Sequence, residues 1–135
     1  MKNTYKILFA DDEQDLNRAF KYYYSKFGNE IDCVSDGLEA LRHAEKFKYD
    51  IIILDHNMPR LNGAEACKRI KMLNVKNRII ILTGNKSDDA YSAAMFSDMD
   101  TKPDAFIYKP LDFDEIDKTI EKVMNGEKFY HTTCD

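Results

Sequence analysis

Asp11-Asp12, Asp55, Thr83 and Lys109 each close a short apolar run, in ILFADD, IIILD, IIILT and FIYK. Three carboxylates, a hydroxyl and an ammonium are the groups that would surround a phosphoryl centre and its divalent cation. Clustered carboxylates raise one another's pKa unless a cation joins them. An all-oxygen donor set suits a hard cation such as Mg²⁺, which keeps several waters and takes few protein ligands. Taken singly, each residue has a plainer explanation. Asp11, Asp12, Glu13 and Asp15 would be favoured at any helix N-terminus. Asp55, just ahead of Met58-Pro59, would serve as a turn acid. A strand-ending threonine and a surface lysine are commonplace. The plain readings do not account for all of them together at the ends of four such runs.

Those ends belong to a regular alternation. Strand-length apolar runs occur at Tyr5–Ala10, Ile31–Val34, Ile51–Leu54, Ile79–Leu82 and Ala105–Tyr108. ILFA and the two IIIL runs are continuous, as expected of parallel strands buried on both faces. Between them lie helical periodicities: Leu16, Ala19, Phe20, Tyr23 and Phe27; Ala40, Leu41 and Ala44; Ala66, Ile70 and Leu73; Ala90, Ala93 and Ala94; then Phe113, Ile116, Ile120 and Val123. Within Tyr22-Tyr23-Tyr24 the spacing buries Tyr23 and leaves the other two near the boundary. Asp36-Gly37 and Asn62-Gly63 mark turns at helix entrances, and Asn125-Gly126 marks the stop of the last helix. Five strands alternating with five helices imply right-handed crossovers and a doubly wound parallel sheet. Such sheets gather function at the carboxyl edge of their strands, where the polar residues named above fall.

Composition narrows the class. The chain has 135 residues, enough for one domain with its own core. The net charge of −4 offers no basic stripe for direct nucleic-acid binding. No apolar run approaches a membrane span and no signal-peptide core is present, so a cytoplasmic protein that does not enter the membrane is expected. Cys33, Cys67 and Cys134 are odd in number and widely spaced, which predicts reduced thiols.

From Lys6 to about Met124 the sequence resembles the response-regulator receiver family of two-component signalling. The residues that carry the resemblance are ILFADDE, Asp55 in IIILDHNMPRLNG, Thr83-Gly84 in IIILTG and Lys109-Pro110 in FIYKPL. The expected fold is a five-stranded sheet in the flavodoxin-like order 2-1-3-4-5 with five helices, spanning residues 1–125. Residues 126–135 would form a short tail too small for an effector domain. The resemblance implies that Asp55 accepts a phosphoryl group from the phosphohistidine of a sensor histidine kinase or a histidine phosphotransfer protein. It implies Mg²⁺ held by Asp12, Asp55 and the backbone carbonyl of Asn57, with Asp11 acting through water. Lys109 and the Thr83 hydroxyl would meet phosphoryl oxygens, and the Lys109–Pro110 bond would be cis. Such a protein is a signalling switch that catalyses only its own phosphorylation and dephosphorylation. Thr83 and Phe106 would be the switch residues, with a plain strand hydrophobe as the alternative for Phe106 and Tyr108, of the same parity, as its competitor. An unknown output protein would read the face formed by the fourth helix, fifth strand and fifth helix.

Some features depart from the family pattern. Phe96–Asp104 lengthens the connection into the fifth strand, on the expected output face. His56 stands where a hydrophobe is common and is expected at the surface, or in contact with the phosphoryl donor. The resemblance implies that Asn57 and Asn85 would flank the path of an attacking water. A stand-alone receiver is the expectation, with the receiver portion of a longer regulator as its alternative. A flavin-binding relative of the same topology would want a Ser/Thr/Gly-rich loop where Asp11-Asp12-Glu13 stands. A Mg²⁺-dependent aspartyl phosphatase would want a general acid where Asn57 stands.

Overall fold

The computed structural model describes residues 4–84 and 99–127. The order of elements is β1 (Lys6–Ala10), α1 (Gln14–Ser25), β2 (Glu30–Val34), α2 (Gly37–Lys46), β3 (Ile51–Asp55), α3 (Gly63–Leu73), β4 (Ile79–Thr83), a 3₁₀ turn (Met99–Thr101), β5 (Ala105–Tyr108) and α4 (Phe113–Met124). The strands form one sheet in the order β2-β1-β3-β4-β5, every pairing parallel. Four α-helices lie among the described residues rather than the five expected. The helix expected on Ala90, Ala93 and Ala94 falls outside them, as do Asn85, Cys134 and the tail from residue 128.

The continuous apolar runs follow from burial on both faces. Leu8, Ala10, Ile52, Leu54, Ile79, Ile81 and Phe106 point into a core shared with Ala40 of α2 and Ala66 and Ile70 of α3. Ile7, Phe9, Ile51, Ile53, Ile80, Leu82 and Ile107 point the other way, onto Phe20 and Tyr24 of α1 and Ile116, Ile120 and Val123 of α4. All five residues of β3 and of β4 are buried. Each fully buried Ile or Leu contributes about 1.5–3 kcal/mol of transfer free energy, so these two strands anchor the sheet. No helix among the described residues is long and apolar enough to cross a membrane. Cys33 and Cys67 are free thiols.

The tyrosine triplet sits differently from the expectation. Tyr24 is fully buried, Tyr23 is half-buried, and Tyr22 is 69% exposed. The inward stripe of α1 runs through Asn17, Phe20 and Tyr24, at i, i+3 and i+7, and Tyr23 lies on its border. There Tyr23 stacks on Phe113 at 4.2 Å between ring centroids. The Tyr24 hydroxyl donates to Asp117 Oδ1 at 2.7 Å and that of Tyr23 to Oδ2 at 3.3 Å, tying α1 to α4. Burial, and then the Asp117 carboxylate, push the Tyr24 pKa up, so the phenol stays a neutral donor. Tyr24→Phe keeps the packing and removes the stronger tie. Its expected cost is about 1–2 kcal/mol by urea denaturation, the range of a hydrogen bond to a charged acceptor. No measurable change would mean that water replaces the bond at no cost.

Candidate functional site

The parallel sheet brings the polar strand ends to one edge. β3 ends in Asp55 and β4 in Thr83, while Asp11 follows β1 and Lys109 follows β5. Each turn has its own local fastening. The Asp11 amide donates to Val34 O at 3.1 Å, its Oδ1 accepts from the Glu13 amide at 2.9 Å, and its carbonyl accepts from Asn17 Nδ2 at 2.7 Å. The Lys109 amide donates to Thr83 O at 2.8 Å, and the Lys109–Pro110 bond is cis, as expected.

Asp11, Asp12 and Asp55 each place a carboxylate oxygen within 4.8 Å of the others. Lys109 Nζ lies 2.9 Å from Asp55 Oδ1, 3.3 Å from Asp11 Oδ2 and 3.7 Å from Glu13 Oε1. Asp11 is wholly buried, Asp55 nearly so, and Asp12 exposed. Burial pushes the Asp55 pKa up to about 6; the Lys109 hydrogen bond opposes that, and the Asp11 charge adds to it. Burial likewise raises Asp11, against the backbone bond from Glu13 and the charge of Lys109. For Lys109 burial acts downward, and contact with Asp55 and then Asp11 outweighs it, leaving its pKa above the ordinary value. Three carboxylates against one ammonium leave a deficit of positive charge. A dication bound by oxygen would fill it, so the donor set fits Mg²⁺.

Asp55 opens the loop that leads into α3. Gly63 closes it, its amide donating to His56 O at 2.9 Å, and Asn62 caps α3 by accepting from the Glu65 amide at 2.8 Å. A Cβ on Gly63 would lie 2.7 Å from Asp55 O and 2.8 Å from His56 Cα, so only glycine fits under the backbone of Asp55 and His56. Asn57 is exposed on this loop. His56 is 7% exposed rather than at the surface, because the loop folds back over it and its amide is held by Leu82 O at 2.9 Å. Thr83 is wholly buried. Phe106 is wholly buried as well, on the α2–α3 side of the sheet, whereas Tyr108 is partly exposed.

Two residues near the site, Asn17 and Arg60, were not singled out from the sequence, and Asp36 was read only as a turn marker. Asn17 fastens the β1–α1 turn from within the inward stripe of α1, and a polar residue three before Phe20 was a legible signal for it. Asp36 and Arg60 pair at 3.2 Å, between α2 and the loop after Asp55. Separated by more than twenty positions, they had no signal that sequence reading could use.

The model of the response regulator receiver domain matches residues 7–121, and the chain belongs to that family. Among its relatives, the response regulator ArlR of Staphylococcus saprophyticus is 36% identical over 122 residues, 90% of this chain and 53% of ArlR. The alkaline phosphatase synthesis transcriptional regulatory protein PhoP of Bacillus subtilis is 29% identical over 119 residues, 88% of this chain and 48% of PhoP. The chain thus spans about half the length of these curated relatives. Among solved structures, the response regulator TrrA of Thermotoga maritima, in complex with Mg²⁺ and BeF, is 30% identical with a TM-score of 0.73, covering 87% of this chain and 97% of that one. A receiver domain from Clostridium thermocellum is 29% identical with a TM-score of 0.78, covering 90% and 94%.

Proposed function

We propose that this receiver domain takes a phosphoryl group onto Asp55 and uses the added charge to switch its output face. The observation that carries the reading is the meeting of Lys109 with Asp55 at 2.9 Å inside the three-carboxylate cluster. A carboxylate oxygen of Asp55 attacks phosphorus of a phosphohistidine. The phosphorus–nitrogen bond breaks and the imidazole nitrogen leaves with its electron pair, giving an acyl phosphate on Asp55. Burial makes Asp55 more basic than a surface carboxylate, hence a better nucleophile, yet largely ionised at neutral pH.

Asp12, Asp55 and the Asn57 carbonyl would hold Mg²⁺, with Asp11 acting through water. The cation supplies charge neutralisation to the incoming phosphoryl group. The binding of Mg²⁺ and BeF by TrrA supports the same assignment here. Lys109 exchanges its contact with Asp55 for a phosphoryl oxygen, and the Thr83 hydroxyl donates to another. Phosphorylation adds roughly −1.5 to −2 of charge at this edge. Thr83 moves toward it, and Phe106, in register beside Ile81 of β4, turns into the space released. The resulting two-state bias is read by a partner on the β5–α4 side. The phosphoryl donor is a sensor histidine kinase or a histidine phosphotransfer protein. The lengths of ArlR and PhoP support a place for this domain in a longer regulator.

Intact mass after incubation with a small acyl-phosphate donor tests the assignment. One added phosphoryl mass is expected with Mg²⁺, none in excess chelator, and none for Asp55→Asn. Equal labelling of the variant would overturn Asp55 as the acceptor.

A further inference from the structure

We infer that Asp36 and Arg60 form a positioning clamp that sets the shape of the phosphoacceptor loop and, through it, the cation affinity of the site. The inference rests on the receiver reading of that site. Arg60 is the one non-glycine with positive φ among the described residues, at 70°. That left-handed conformation is unfavourable for a residue with a Cβ and persists where surroundings hold it. The Leu61 amide donates to Pro59 O at 2.8 Å and closes a tight turn across Arg60, and Asp36 Oδ2, 3.2 Å from Arg60 Nε, ties that turn to α2. Asp36 is itself fixed. Its Oδ1 caps α2 by accepting from the Glu39 amide at 2.8 Å, and its side chain is 8% exposed.

A second contact meets the loop one residue further on. A Cβ on Gly37 would sit 2.0 Å from Leu61 O, so the first turn of α2 lies directly against the loop backbone. Met58 and Leu61, each 8% exposed, anchor the loop from beneath. Between these anchors Asn57, Pro59 and Arg60 face outward, and Asn57 carries the carbonyl proposed for the cation. Asp36 contacts neither the carboxylate cluster nor Lys109 in the ion pairs of the site. It acts through Arg60 and is a positioning residue.

Asp36→Asn separates the clamp from the cap, since asparagine caps helices as well as aspartate does. Arg60→Gly removes the cation while keeping positive φ accessible, and Arg60→Lys restores a cation there. Mg²⁺ affinity is measured by calorimetry, and amide hydrogen exchange of Met58, Leu61 and Gly63 is followed without Mg²⁺. With Arg60 57% exposed the pair is only partly desolvated. Asp36→Asn and Arg60→Gly are therefore each expected to weaken Mg²⁺ binding and to speed loop exchange by about two- to fivefold. The double variant should be no worse than either single one, and Arg60→Lys should recover part of the loss. The exchange difference should shrink in about 1 M NaCl, where the pair is screened. Wild-type behaviour of Asp36→Asn in both readouts would overturn the clamp. Faster exchange with unchanged Mg²⁺ affinity would overturn its link to the cation. A wild-type protein that binds no Mg²⁺ would sink the receiver reading of the site instead, and exchange would still judge the clamp. Should Asp36→Asn fail to fold, Arg60→Gly carries the same comparison.

Discussion

In Mg²⁺-free buffer at pH 7, Asp55→Asn is expected to be more stable than the wild type by about 2 kcal/mol, and the gain is expected to vanish near pH 4. Asp55 is 4% exposed, and its pKa stands at about 6 in the fold against an ordinary 3.8. The folded protein therefore holds a proton that the unfolded chain has already released. Below the ordinary value both states are protonated and Asp55 costs nothing. As pH rises toward about 6 the folded state loses ground, and above that the penalty is constant. A shift of this size corresponds to about 3 kcal/mol, which asparagine removes. Part is returned because Lys109 loses its 2.9 Å partner and keeps Asp11. Adding Mg²⁺ should narrow the gap, since the cation stabilises only the protein that binds it. Thermal unfolding from pH 4 to pH 8, with and without Mg²⁺, reads all of this. A variant less stable than wild type at pH 7 would mean that Lys109 more than compensates the buried charge.

A larger effect is expected far from the site. Lys71 Nζ sits 2.9 Å from Asp104 Oδ2, with side chains 3% and 13% exposed, and the same oxygen accepts from the Ile79 amide at 2.8 Å. One carboxylate thus joins α3, the start of β4 and the residue before β5. Lys71→Met takes this cation from a largely buried carboxylate, at an expected cost of about 3–5 kcal/mol. Lys71→Met with Asp104→Asn removes both charges and keeps an acceptor for Ile79, so it should recover at least half of the loss. Urea denaturation of the three proteins forms the comparison. A single variant within about 0.5 kcal/mol of wild type would show that water screens the pair in solution. The consequence reaches function, because Asp104 leads directly into the strand that carries Phe106 and ends beside Lys109. Loosening that entry should slow phosphorylation of a protein whose carboxylates are untouched.

The residues themselves determined the layered α/β fold, since continuous runs such as IIIL have no stable place except between two helical layers. They also determined which polar groups share an edge: parallel strands all finish on the same side, so Asp11, Asp55, Thr83 and Lys109 had to meet there. Periodicity was less able to choose between neighbours on a helix. One residue is a 100° turn, and the docking of α4, through Phe113 and Asp117, decided that Tyr24 goes inward and Tyr23 stays at the border. Tertiary structure alone decided that His56 is covered, because that depends on how the loop returns through Gly63. It alone paired Asp36 with Arg60 and Lys71 with Asp104. Local spacing records which face a side chain takes. The partner of a charge depends on where distant segments pack, and neither a stray arginine in a loop nor a lysine in a basic helix announces it.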